Sequence, residues 1–136
     1  MKFTAIRENH LFVKAYRSGK RVTMPAFSLY VLKDRQARRF RIARPDKMQI
    51  NRIGISASKK IGGAVERNRA KRVIREALRL IMAESPLETG FLIVIAAREH
   101  AAVCKMQDVY HDLQIALRKT DLLKAPSGAD GTGVPK

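Results

Sequence analysis

The sequence predicts a two-layer α/β fold in which one sheet is covered by helices. Three observations predict it. Residues 9–19, 67–82 and 106–119 repeat their apolar positions at helical spacing, residues 26–32 and 52–58 alternate at the period of a strand, and residues 91–97 are almost wholly apolar. Helical and strand segments interleave along 136 residues, a length that fits one domain.

The first helix is written in "NHLFVKAYRSGKR". Leu11, Phe12, Ala15 and Tyr16 fall on one face, Asn9 can cap the start and Gly19 can end it. In "AFSLYVL" the residues Phe27, Leu29 and Val31 point one way while Ser28, Tyr30 and Leu32 point the other. Residues 33–52 are basic and broken by Pro45; "RRFRIA" could be a further strand there, and the rest reads as a hairpin connection or exposed loop. "RIGISAS" puts Ile53, Ile55 and Ala57 on one side of a short strand, and "FLIVIAA" reads as a strand covered on both faces. "MQDVYHDLQIALRK" returns to helical spacing through Met106, Val109, Tyr110, Leu113 and Leu117. The domain is expected over residues 1–122. Residues 123–136, with "PSGADGTGVPK", have too little apolar content to pack and are expected to be disordered. These patterns leave the strand order open.

Charge narrows the function. Lys and Arg number 28 against 12 Asp and Glu, a net charge of +16. Such a surplus repels itself unless a polyanion neutralises it, which points to nucleic acid. No apolar run approaches the roughly 20 residues that span a bilayer, and there is no Trp to anchor an interfacial helix, so no membrane partner is expected. The N-terminal "MKFTAIRENH" lacks an extended apolar stretch of the signal-peptide kind, and Cys104 is the single cysteine. A cytoplasmic setting is the expectation.

The charge is concentrated in "KKIGGAVERNRAKRVIREALRLI", residues 59–81. There Lys59, Lys60, Arg67, Arg69, Lys71, Arg72, Arg75 and Arg79 face only Glu66 and Glu76. At about 100° per residue, Ala70, Val73, Ile74, Ala77, Leu78, Leu80 and Ile81 form one arc. Lys71, Arg72, Arg75 and Arg79 take the opposite side with Asn68, and Arg67 and Arg69 sit at the borders. Arg67, Lys71, Arg75 and Arg79 form a ladder of like charges at i,i+4, unfavourable at each step. A merely solvated face would gain from mixed signs, so an external polyanion is expected to offset the repulsion. Gly62 and Gly63 allow a turn with free amides at the helix start, suited to a phosphate backbone. The spacing of a nucleotide-binding P-loop is absent.

"GISASKKIGGAVERNRAKRVIREALR", with Arg67-Asn68-Arg69, resembles the signature of the bacterial ribonuclease P protein component family. "LFVKAYRSGKR", "FSLYVL" and "IVIAAR" flank it in the family's order, so the resemblance covers most of residues 6–118. It implies a small α/β sandwich with a mixed central sheet and a left-handed βαβ crossover, against the general handedness rule. It also implies an accessory subunit, one per catalytic RNA, for an endonuclease that removes the 5′ leader of precursor tRNA. The catalytic RNA is then the cofactor, with Mg²⁺ held mainly by that RNA. By the same resemblance Lys59, Lys60, Arg67, Asn68, Arg69, Lys71, Arg72 and Arg75 would contact the catalytic RNA, and Phe12, Tyr16, Phe27, Tyr30 and Lys33 the leader. The strand alternation itself argues that Phe27 and Tyr30 lie on opposite faces, with Phe27 in the core. Two positions depart from the family pattern: Gly63 stands where Asn is usual, and Leu92 where an Asp usually opens the late strand.

No catalytic centre emerges from the side chains. His10, His100 and His111 are far apart in sequence, His100, Cys104 and His111 match no zinc spacing, Asp108 and Asp112 read as surface charge, and Ser56 and Ser58 have no evident base. Composition alone would favour a general RNA-binding or ribosomal protein without a catalytic role, and the long signature with its matching flanks decides against it. A helix-turn-helix DNA reader is disfavoured because Gly62–Gly63 follows a strand signal.

Overall fold

A computed structural model describes residues 3–6, 9–33, 51–85, 87, 88 and 90–123. The chain runs β1 (Phe3–Ala5), α1 (Asn9–Ser18), β2 (Lys20–Thr23), β3 (Phe27–Lys33), β4 (Asn51–Ala57), a 3-10 turn (Lys59–Ile61), α2 (Ala64–Glu84), β5 (Phe91–Ala97), a second 3-10 turn (Glu99–Ala102) and α3 (Met106–Lys119). The five strands form one mixed sheet in the order β1-β4-β5-β3-β2. β1, β4 and β5 are mutually parallel, whereas β3 runs antiparallel to both β5 and β2. β4–α2–β5 is therefore the βαβ unit.

β5 is the middle strand, which explains its apolar run. Ile93 and Ile95 join Phe27, Leu29, Val31 and Ile53 on one face, beneath Ala70, Ile74, Leu78 and Ile81 of α2 and Val109, Leu113 and Leu117 of α3. Leu92 and Val94 face the other way, against Leu11 and Ala15 of α1, with Phe12, Tyr30 and Leu32 around them. The main sandwich is the sheet with α2 and α3. α1 adds a partial layer on the opposite face, which the two-layer expectation did not contain. Leu92, where the family pattern has an acid, is thus fully used as core. Each fully buried Leu, Ile or Phe contributes about 1.5–3 kcal/mol by leaving water.

Polar details hold the strand ends. Asn51 is buried; its Nδ2 donates to the Glu88 carbonyl at 2.9 Å, and its Oδ1 accepts from the Phe91 amide at 3.0 Å. This clamps the start of β4 to the start of β5. Gly19 permits the tight turn from α1 into β2, because a Cβ there would lie 2.6 Å from the Ala15 carbonyl oxygen and 3.3 Å from the Val31 backbone. The suggested strand at 38–43 lies outside the described residues, as does the tail from 124 onward. Leu123, assigned to the tail by its sequence context, belongs to the fold. Asp121 adopts φ 62°, and the amides of Leu122 and Leu123 both donate to the Leu117 carbonyl, turning two buried leucines under α3.

Candidate nucleic-acid interface

α2 begins earlier than the apolar period alone indicates, because Gly63 serves as its N-cap. Gly63 carries no side chain to bond the first-turn amides. The preceding turn is built by Ser58, whose Oγ accepts from the Lys60 amide at 3.3 Å. Gly62 then leaves it with φ 143°, a conformation that excludes a Cβ. Lys59 and Lys60 are exposed on this turn, and Asn68, Arg72 and Arg75 are exposed along α2, with Arg67 and Lys71 half-buried beside them. Among the described residues no carboxylate lies within ion-pair distance of Lys59, Lys60, Arg67, Lys71, Arg72 or Arg75. Arg79 differs. It pairs with Glu76 at 2.7 Å, and that bond holds the Glu76 carboxyl below its ordinary value.

Arg69 also differs, because its side chain already has partners within the protein. Its guanidinium points away from the basic face and donates to the carbonyls of Ala101 (3.4 Å), Ala102 and Cys104 (3.3 Å). The turn after β5 ends on three outward carbonyls, and Arg69 gathers them. It fastens α2 to that turn instead of presenting a charge to solvent. Cys104, closed off beneath this clasp, has its thiol pushed up from the ordinary value by desolvation and by Asp108.

A second surface forms where α1 crosses the sheet. Phe12, Tyr16 and Tyr30 gather there, with ring centroids 6.5 Å apart for Phe12–Tyr16 and 5.0 Å for an edge-on Tyr16–Tyr30 pair. Tyr16 is 42% exposed, and its hydroxyl is hydrogen-bonded to Ser56 Oγ at 2.8 Å. Two expected members do not join. Phe27 is fully buried on the α2–α3 face, as strand alternation requires, so it is no part of this surface. Lys33 pairs with Phe91 at the far end of β3, whereas Tyr30 pairs with Val94. That separation is about 10 Å along the strand, and Lys33 has the opposite side-chain parity. The basic neighbour missed by sequence reasoning is Arg21, directly across from Tyr30 on β2. Its sequence signal was a pair of positive residues, Lys20 and Arg21, in a run too short to announce a strand.

The two surfaces meet through β4. Ser56, which bonds Tyr16, is followed almost at once by Ser58 and the Lys59–Lys60 turn. Among the described residues, no group of three or more His, Cys, Asp or Glu gathers in a way that could hold a metal ion. No described helix is long and apolar enough to cross a membrane.

A mixed α/β sandwich with a basic helix and a neighbouring aromatic sheet face has the chemistry that suits a nucleic-acid-binding protein. Comparison with known proteins makes this specific. The family model for ribonuclease P matches residues 1–121. The chain is 32% identical over 121 residues to the ribonuclease P protein component of Caldanaerobacter subterraneus, covering 89% of this chain and 92% of that one. It is 34% identical over 122 residues to the Clostridium botulinum protein, covering 90% and 98%. Its fold is similar to the Staphylococcus aureus ribonuclease P protein, with a TM-score of 0.69, 26% identity, and coverage of 90% and 100%. It likewise resembles the fold of the Thermotoga maritima protein, at a TM-score of 0.65 and 24% identity over 85% and 96%. The chain belongs to the ribonuclease P protein component family.

Proposed function

We propose that this chain assists a catalytic RNA in removing the 5′ leader from precursor tRNA, by binding both the RNA and the leader. One observation carries the reading: β4 leads from the aromatic surface at Ser56 directly into the basic turn at Lys59 and Lys60. A strand of nucleic acid on the first surface and a folded RNA on the second would then be held side by side. Lys59, Lys60, Arg67, Asn68, Lys71, Arg72 and Arg75 contact phosphates of the catalytic RNA. Phe12, Tyr16 and Tyr30 receive the leader, with Arg21 beside them. Stacking on such rings is worth about 1–3 kcal/mol per base and tolerates any sequence, as a variable leader demands.

The chain's contribution is positioning and charge neutralisation. Phosphates docked against the basic helix lose part of their mutual repulsion, which lowers the divalent-ion concentration needed to bring RNA and substrate together. In this reading Mg²⁺ is held mainly by the catalytic RNA, and the hydrolytic step is carried by that RNA and not by a side chain of this protein.

The test is precursor tRNA cleavage at low Mg²⁺ by the cognate catalytic RNA, with and without this protein, beside a protein-only control. Stimulation by the pair and no cut by protein alone are expected. A folded protein that binds RNA tightly yet gives no stimulation would leave a general RNA-binding protein as the better reading.

A further inference from the structure

The aromatic surface is held by two small residues of β4. A Cβ on Gly54 would lie 2.5 Å from Phe12 Cζ and 2.8 Å from Cε1, so the Phe12 ring rests on the strand backbone where any side chain would displace it. Two positions further along, on the same face, the Ser56 hydroxyl meets the Tyr16 hydroxyl at 2.8 Å. The register places Gly54 beside Val94 and Ser56 beside Ala96 on β5, and across β5 stand Tyr30 and Ser28 on β3. The floor next to the rings is thus made of the small side chains of Ser28, Ser56 and Ala96, with Ser28 buried and Ser56 and Ala96 half-buried. Tyr16 is exposed on this floor and is fixed at two points: its hydroxyl by Ser56 and its ring by the edge-on contact with Tyr30.

We infer that Gly54 and Ser56 are positioning residues for the leader: Gly54 seats Phe12 on the sheet, and Ser56 locks the Tyr16 ring in its bound orientation before substrate arrives. This rests on the leader-binding reading above. An exposed tyrosine without the Ser56 bond would sample several rotamers, and ordering it would cost part of the stacking energy on each binding event. Neither residue touches the reacting phosphate, so the loss should appear in substrate affinity and not in the rate of the chemical step.

The experiment uses the holoenzyme assembled with cognate catalytic RNA. It measures affinity and single-turnover cleavage for precursor tRNA with a single-stranded leader, and affinity for the same tRNA without one. Ser56→Ala should weaken leader-bearing tRNA by about three- to tenfold, the range one ordinary hydrogen bond supports, with the saturating cleavage rate unchanged. Leaderless tRNA should be unaffected. Tyr16→Phe should lose a similar factor, the double variant should lose no more than either single one, and Ser56→Thr should restore affinity. Gly54→Ala should also reduce leader affinity; should it fold poorly, the Ser56 series still decides. Equal losses for leaderless tRNA, additive losses in the double variant, or unchanged discrimination in Ser56→Ala would overturn the inference. Failure of the unmodified holoenzyme to distinguish the two tRNAs would instead overturn the leader-binding reading on which it stands.

Discussion

Arg69 spends its guanidinium on the carbonyls of Ala101, Ala102 and Cys104, so its removal should be felt first in stability. Hydrogen bonds from a charged donor are worth about 1.5–3 kcal/mol, and Arg69→Ala should lower unfolding free energy by about 2 kcal/mol in a denaturant titration. Arg69→Lys should recover little, because an ammonium cannot span three fixed acceptors as a planar fork does. A loss below about 0.5 kcal/mol would show that these carbonyls are equally well served by water. Arg67→Ala, on the same motif but without such bonds, should leave stability nearly unchanged and weaken RNA binding. Sequence could not separate these two arginines. They sit at the two borders of the helix face, and what distinguishes them is a turn about 30 residues further on that happens to end beside one border.

At the scale of the element, α2 is a helix whose charge was legible and whose pairing was not. The scarcity of acids raised the expectation of an external partner, and six of the basic residues at the turn and along the helix have no carboxylate within ion-pair distance among the described residues. Arg79 is withdrawn from that set by Glu76. The bond depresses the Glu76 carboxyl, so its stabilising contribution is present above the ordinary value of 4.5 and is lost as pH falls through the depressed folded value. At neutral pH the pair is intact. Glu76→Gln should therefore release Arg79, tighten RNA binding and steepen the slope of log affinity against log salt by up to about one. Arg79→Ala in the same background should cancel that gain, and an unchanged slope in Glu76→Gln would place Arg79 off the interface. The other elements show where pattern reading ends. β3 and α3 were recognised because each repeats its period over several residues, and β5 because its apolar run is that of a strand covered on both faces. β1 and β2 were missed because three or four residues cannot establish a period.

Across the whole molecule a net charge of +16 is held on a 136-residue chain, and the surplus is unevenly spread. Residues 106–117, most of α3, contain two Asp and no Lys or Arg, whereas the turn before α2 and its exposed face are basic. The free protein and its RNA complex should respond to salt in opposite directions. Raising ionic strength from about 50 to 200 mM should increase the melting temperature of the free chain, because screening relieves self-repulsion. The same change should weaken RNA binding by orders of magnitude, about 10³–10⁵ for six to ten phosphate contacts. Parallel responses, with salt destabilising both, would mean that intramolecular ion pairs outweigh the repulsion.

The sequence by itself determined the α/β class, the helices and longer strands, the concentration of positive charge and the family, because each depends on a local period, a charge sum or a contiguous motif. It also separated Phe27 from Tyr30, since alternation along a strand is a local property. Only the tertiary structure decided which distant residues meet. The sheet order brings β4 next to β5, sets Arg21 across from Tyr30, lays Phe12 over Gly54 and brings Tyr16 to Ser56. Those contacts join residues far apart along the chain, and they arise from strand pairing and from the packing of α1 on the sheet, neither of which leaves a periodic trace in the sequence.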